Sequence, residues 1–235
     1  MKLINNKFIK LNKVRISSKY KFLVSYQCHF NVGFYKSELY NFYNIDFPKI
    51  IKTSVTKRQA EFLAGRILAS KVMSELEQDG IQIPIGENRS PIWPANISAS
   101  ISHTSNTAIC IAGFKNDTVG VGIDIEKWLS ENTINEIKSL IINNNEIHIL
   151  KSRSIEFSKI FTIVYSAKES LFKALFPFIG FYFGFKDVEL ISFSPRNCSF
   201  EFKLLTKLSN EYQSGFRIRG IYTEDDNTVK TLIVL

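Results

Sequence analysis

The chain has 235 residues, 45% hydrophobic and 22% charged, which suits one large or two small globular domains and excludes disordered, collagen-like and coiled-coil architectures as the dominant form. Thirty Lys+Arg against 22 Asp+Glu give a net charge of +8. That excess favours a polyanionic partner, which could be a nucleic acid, an anionic membrane, a phosphorylated metabolite or an acidic protein, and does not choose among them.

From the N-terminus, the basic stretch from Met1 to Arg15 never builds a continuous apolar segment, so no signal peptide is expected. From Thr56 to Leu76, Ala60, Leu63, Ala64, Ile67, Leu68, Val72 and Leu76 recur at helical spacing with charged residues opposite, which predicts an amphipathic helix. Thr56 and Gln59 have the spacing of a capping box at its start. Ile81 to Pro94 is rich in Pro, Gly, Asn and Arg and reads as a loop. Ser98 to Ser102 predicts a strand, and Thr107 to Phe114 and Thr118 to Glu126, joined by Lys115-Asn116-Asp117, a hairpin of two more. Two helices are expected next, over Asn132 to Leu150 and Ser158 to Phe176. Strands follow at Val188 to Phe193, Cys198 to Leu205, Phe216 to Thr223 and Val229 to Leu235. The order is that of an α+β protein in two comparable halves. The longest uncharged apolar run, Ala174 to Phe185, holds Pro177, Gly180 and Gly184 and is too short to span a bilayer, so no membrane insertion is expected. Cys28, Cys110 and Cys198 fit neither a disulfide framework nor a metal-binding pair, which points to a reducing, cytoplasmic compartment.

Period-two geometry puts Gly120, Gly122, Asp124 and Glu126 on one strand face and Val121, Ile123 and Ile125 on the other. Two hard carboxylates beside a glycine track suit Mg²⁺, with the glycines leaving room for a ligand against the backbone; a solvated strand end reads equally from an isolated D-x-E. Glu169 and Lys173, with Lys168 adjacent, stand on one helix face as either an ordinary surface ion pair or a third carboxylate and a phosphate-binding ammonium. Arg58 and Arg66 can reach one side of their helix, and His103 follows a strand with hydroxyls beside it. Each is a candidate phosphate contact or a solvated side chain.

Taken together and in order, KRQAEFLAGRILA (Lys57 to Ala69), RSPIWP (Arg89 to Pro94), SISHT (Ser100 to Thr104), GIDIE (Gly122 to Glu126) and FTIVYSAKESLFKALFP (Phe161 to Pro177) resemble 4′-phosphopantetheinyl transferases, in the branch that includes enterobactin-type synthetase component D. The resemblance covers roughly half the chain. It implies two similar α/β halves related by a pseudo-twofold axis, here 1–125 with the nucleotide-binding helix and 126–235 with the K-E-S-x-F-K helix, and an active site in the cleft between them. It implies transfer of the phosphopantetheine arm of coenzyme A to a serine of an acyl or peptidyl carrier protein, releasing adenosine 3′,5′-bisphosphate. Asp124, Glu126 and Glu169 would hold Mg²⁺. Arg58, Arg66, Arg89, Ser102 and His103 would bind the nucleotide end of coenzyme A, and Lys168 and Lys173 its phosphates. Glu169 and Lys173 would be the catalytic pair, Glu169 accepting the serine proton. The family usually carries glycine where Ala99 stands, so weaker nucleotide affinity is expected. The chain is expected to be a cytoplasmic monomer without a nucleic-acid partner. A Mg²⁺-dependent nuclease and a non-catalytic nucleic-acid-binding module are the rival readings, which the glycine track, the Arg58/Arg66 helix and the scattered basic residues disfavour.

Overall fold

The computed structural model describes residues 7–151 and 155–235, so the first six residues of the basic N-terminal stretch lie outside it. The chain divides into two compact units, Met1–Asp117 and Thr118–Leu235. Both combine an antiparallel sheet with a long helix, so the α+β expectation holds. The boundary expected after residue 125 falls earlier, because the whole GIDIE strand belongs to the second sheet.

In the first unit β1 (Ile9–Lys13), β2 (Val24–Phe30), β3 (Ile97–His103) and β4 (Thr107–Phe114) form a sheet in the order β1-β2-β4-β3. Two short helices, α1 (Glu38–Phe42) and α2 (Lys49–Lys52), precede the predicted long helix, α3 (Thr56–Glu75). Leu63, Ala64, Leu68 and Val72 of α3 are fully buried and pack in one apolar cluster with Cys28, Ala108 and Cys110 of the sheet. The capping box does not form. Gln59 instead reaches back to the preceding chain, donating to the carbonyls of Lys52 (3.0 Å) and Ser54 (2.8 Å) and accepting from the Tyr35 hydroxyl (2.8 Å). Nor is the polar side of α3 simply solvated, since Glu61 and Arg66 are buried.

The second unit holds β5 (Val121–Lys127), β6 (Val188–Ser194), β7 (Ser199–Leu204), β8 (Arg217–Glu224) and β9 (Thr228–Val234) in the order β5-β9-β8-β7-β6. All four tail strands stand where the alternation put them. The predicted hairpin, however, is a misreading. β4 pairs with β2 and β3, while β5 pairs with β9 from Val121↔Val234 to Lys127↔Thr228. Lys115 to Asp117 is a real turn, but the chain leaves it for the other sheet, where the Thr118 hydroxyl bonds the carbonyls of Gly120 and Leu235, both at 3.1 Å.

Among the described residues three helices rather than two come between β5 and β6: α4 (Glu131–Ile141), α5 (Asn144–Lys151) and α6 (Phe157–Ile179). The break is a reciprocal cap. The Asn143 side chain accepts from the Glu146 N–H, and the Glu146 carboxylate accepts from the Asn143 N–H, both at 2.9 Å. Leu140, near the end of α4, is 65% exposed.

Helix α6 lies directly on β5. A β-carbon at Gly122 would stand 1.9 Å from the Ser170 carbonyl oxygen and 2.7 Å from the Ala174 nitrogen, and one at Gly120 would stand 2.9 Å from the Ala174 carbonyl. The glycine track therefore admits a helix, not a ligand. The Ser166 and Ser170 hydroxyls, 3.0 and 2.7 Å from Oγ1 of Thr231, fasten α6 to the adjoining strand β9. Among the described residues no helix is long and apolar enough to cross a membrane.

Candidate functional site

The first unit carries a cavity of about 260 Å³ whose walls include Arg58 and Arg66 from α3, Arg89 from the Pro/Gly-rich loop and His103 from the end of β3. Four of the five expected nucleotide contacts thus meet around one space. Ser102 does not line it; strand alternation points its side chain away from the face that carries Ile101 and His103. Ala99 does not line it either, its methyl packing in the apolar cluster under α3.

Arg66 is 8% exposed, and its guanidinium stacks over the Phe62 ring at 4.4 Å. Its Nη2 reaches the Pro84 carbonyl at 3.5 Å, and its buried Nε has no hydrogen-bond partner. Burial lowers its pKa to about 10. A buried donor left unpaired costs roughly 1–3 kcal/mol. Arg58 donates from Nη1 to Nε2 of His103 at 3.0 Å, and Glu61 lies 3.9 Å from Lys57, Arg58 and His103 alike. Arg66 also lines a neighbouring cavity with Lys49 and Lys52. The sequence reading passed over those two lysines, because a four-residue helix leaves no periodic signal.

In the second unit Asp124 is 3% exposed and so is no solvated strand end. Its Oδ1 takes the Lys173 ammonium at 2.7 Å and its Oδ2 the Ser166 hydroxyl at 2.7 Å. Glu126 follows on the same strand face, and Glu169 is on α6 one turn before Lys173. Burial, then the Asp124 charge, pushes the Glu126 carboxyl up to about 8, with Lys173 opposing and Glu169 adding to the rise. Burial also raises Glu169, against the pull of Lys173 and with a further push from Asp124. Tyr165 is raised by burial and by the charges of Glu169, Glu126 and Asp124. These directions describe three carboxylates facing one ammonium in a poorly hydrated place.

Such a set of hard oxygen donors with excess negative charge suits Mg²⁺. Yet among the described residues no three His, Cys, Asp or Glu side chains are arranged to hold a metal ion. Oδ1 of Asp124 is instead taken by the Lys173 ammonium.

Lys168 corrects the sequence reading. It is 3% exposed, donates to the carbonyls of Ile141 (2.8 Å), Phe185 (2.9 Å) and Val188 (3.0 Å), and pairs with Glu146 at 2.7 Å. An ammonium has three N–H groups, all of them committed to the interior, so Lys168 is no phosphate contact. Nearby, Phe172, Tyr182, Phe183 and Phe185 line a cavity of about 190 Å³ that Glu169 also borders. Aromatic side chains thus supply most of its wall.

The first unit thus holds a cavity lined by three arginines and a histidine, and the second an acidic strand face paired with a lysine. The family model of the 4′-phosphopantetheinyl transferase N-terminal domain matches residues 48–113, and that of the 4′-phosphopantetheinyl transferase superfamily matches residues 120–222. The chain belongs to this superfamily. It is 39% identical over 126 residues to enterobactin synthase component D of Salmonella typhi, covering 53% of this chain and 51% of that one. To enterobactin synthase component D of Escherichia coli K12 it is 38% identical over 138 residues, covering 59% and 64%. The 4′-phosphopantetheinyl transferase PptT of Mycobacterium tuberculosis is 25% identical over 192 residues, covering 79% and 83%. The chain thus spans about half the length of the Salmonella relatives it matches.

Proposed function

We propose that the protein transfers the 4′-phosphopantetheine group of coenzyme A to a serine hydroxyl of an apo acyl or peptidyl carrier protein. The serine oxygen forms a new bond to phosphorus, the pyrophosphate bond breaks, and adenosine 3′,5′-bisphosphate departs. The observation that carries this reading is the cavity of Arg58, Arg66, Arg89 and His103, in which a buried guanidinium nitrogen waits without a partner. The arginines bind the nucleotide's phosphates, each charge-assisted contact contributing roughly 1.5–3 kcal/mol.

Asp124, Glu126 and Glu169 would hold Mg²⁺, which when bound neutralises charge on the pyrophosphate. Lys173 would donate to the same phosphates and stabilise the leaving group as its charge grows. Glu169 accepts the serine proton; burial raises its pKa towards the working pH, which improves a general base. The positive surface suits both coenzyme A and an acidic carrier. The named activity of the enterobactin synthase relatives makes siderophore-type carriers the first to try. In this reading the enzyme is a cytoplasmic monomer that acts on protein rather than nucleic acid.

The test is incubation with coenzyme A, Mg²⁺ and a panel of apo-carriers, followed by intact-protein mass spectrometry. A phosphopantetheine mass increase on the carrier serine supports the reading, and nuclease activity without it overturns the reading.

A further inference from the structure

Glu61 is an acid set in the basic cavity of the first unit, and no role assigned so far uses it. Its Oε2 lies 3.9 Å from Nη1 of Arg58 and 3.9 Å from Nδ1 of His103. Arg58 has donors only, so the 3.0 Å contact makes Nε2 of His103 the acceptor. The neutral ring therefore carries its proton on Nδ1, the nitrogen that faces Glu61. In that state His103 has no proton to offer a phosphate from Nε2. A second proton on the ring removes the conflict, and a carboxylate beside Nδ1 is the group that favours it.

We propose that Glu61 is a positioning residue: it holds His103 with Nδ1 protonated and stabilises the imidazolium that forms when Nε2 leaves Arg58 to donate to an incoming phosphate, so that phosphate capture takes up one proton from solvent. The proposal rests on the coenzyme A reading of this cavity and deepens it. Among the described residues, Lys57 lies 3.9 Å from Glu61, Arg58, Arg66 and Arg89 line the same cavity, and β4 places Ala108 opposite His103. Burial raises the Glu61 carboxyl against the pull of Lys57 and Arg58.

The experiment is calorimetric titration of the full chain with adenosine 3′,5′-bisphosphate, in buffers of different ionisation enthalpy, from pH 7 to 8.5, for wild type, Glu61→Gln and His103→Gln. Wild type is expected to take up close to one proton, with affinity falling towards tenfold per pH unit at the alkaline end. His103→Gln should take up none. Glu61→Gln should bind about tenfold more weakly at pH 7.5, with its uptake curve moved about one unit to the acid side. A purely structural role would lower affinity equally at every pH and leave uptake in place, which overturns the proposal, as does tighter binding by Glu61→Gln. No wild-type binding at any pH would overturn the coenzyme A reading, and the pair's role with it; binding without proton uptake overturns the proposal alone. Imidazole ¹⁵N spectra of the ligand-free full chain, which has three histidines to assign, give an independent check: a His103 ring protonated at Nε2 rather than Nδ1 refutes the proposal without any variant.

Discussion

Replacing Gly122 by alanine tests the close approach of α6 to β5. The new methyl would lie 1.9 Å from the Ser170 carbonyl oxygen, with the Ala174 nitrogen 2.7 Å away. Carbon–oxygen contacts become ordinary at about 3.3–3.6 Å, so the helix must retreat by roughly 1.4 Å. The obstacle is backbone, which no rotamer change relieves. Overpacking of this kind costs about 1–3 kcal/mol. A shift of that size would also stretch the 2.7 Å bonds from Asp124 to Ser166 and Lys173 beyond hydrogen-bond range, at about 1.5–3 kcal/mol for each bond to the carboxylate. The total is on the order of 4 kcal/mol or more, a large share of the roughly 5–15 kcal/mol that typically holds a domain together. Urea denaturation of wild type, Gly122→Ala and Gly184→Ala provides the assay. Gly184 is the control, because a β-carbon there meets nothing closer than 3.5 Å. A Gly122→Ala midpoint within error of wild type would refute the packing argument, whatever the activity.

Arg66→Met should leave the melting temperature unchanged or raise it, since it removes a buried cation whose Nε is unpaired, while weakening adenosine 3′,5′-bisphosphate binding about 10- to 150-fold; a lower melting temperature with intact affinity in calorimetry would contradict this. Glu169→Gln should lower kcat by about 10²- to 10⁴-fold with coenzyme A still bound, and steady-state kinetics showing wild-type kcat would strip Glu169 of the base role. Glu126 has a folded pKa of about 8 against an ordinary 4.5, so the folded state binds more protons between those values and stability should fall as pH rises through that window. Mg²⁺ should raise the melting temperature more at pH 8 than at pH 6, and Glu126→Gln should flatten both trends; a melting temperature that climbs with pH in the metal-free wild type, or flat trends there, would reverse the assignment.

Helix α3 and the four tail strands were legible because their apolar periods are unbroken and their burial follows the period. The hairpin was misread because a turn signal says that the chain reverses, not which sheet it joins next; β5 had equal claims on either neighbour by alternation. The Asn143–Glu146 cap was present in the sequence as N-x-x-E, but the isoleucines on both sides masked the break. At the site, residue types announced themselves while their allegiances did not. Asp124 and Lys173 form an ion pair, whereas Lys168, adjacent to Glu169 in sequence, turns inward, where a helix end and a strand start offer carbonyls. Glu61 was missed because a glutamate one helical turn after Lys57 reads as an ordinary surface pair, and only burial marks it otherwise.

The Lys168 contacts have a consequence for motion. Its ammonium gathers carbonyls from the end of α4, from Phe185 and from the start of β6, together with a carboxylate from α5, so none of these segments can detach without uncovering a buried charge. Local opening here is therefore all-or-none: the end of α4, α5, α6 and the start of β6 should behave as one cooperative unit whose amides exchange with solvent through a shared, high-energy opening rather than by fraying from the ends. Glu169, the next residue along the helix, inherits that stillness; in the proposed reaction, a proton acceptor held in this way would spare each cycle the search for its geometry.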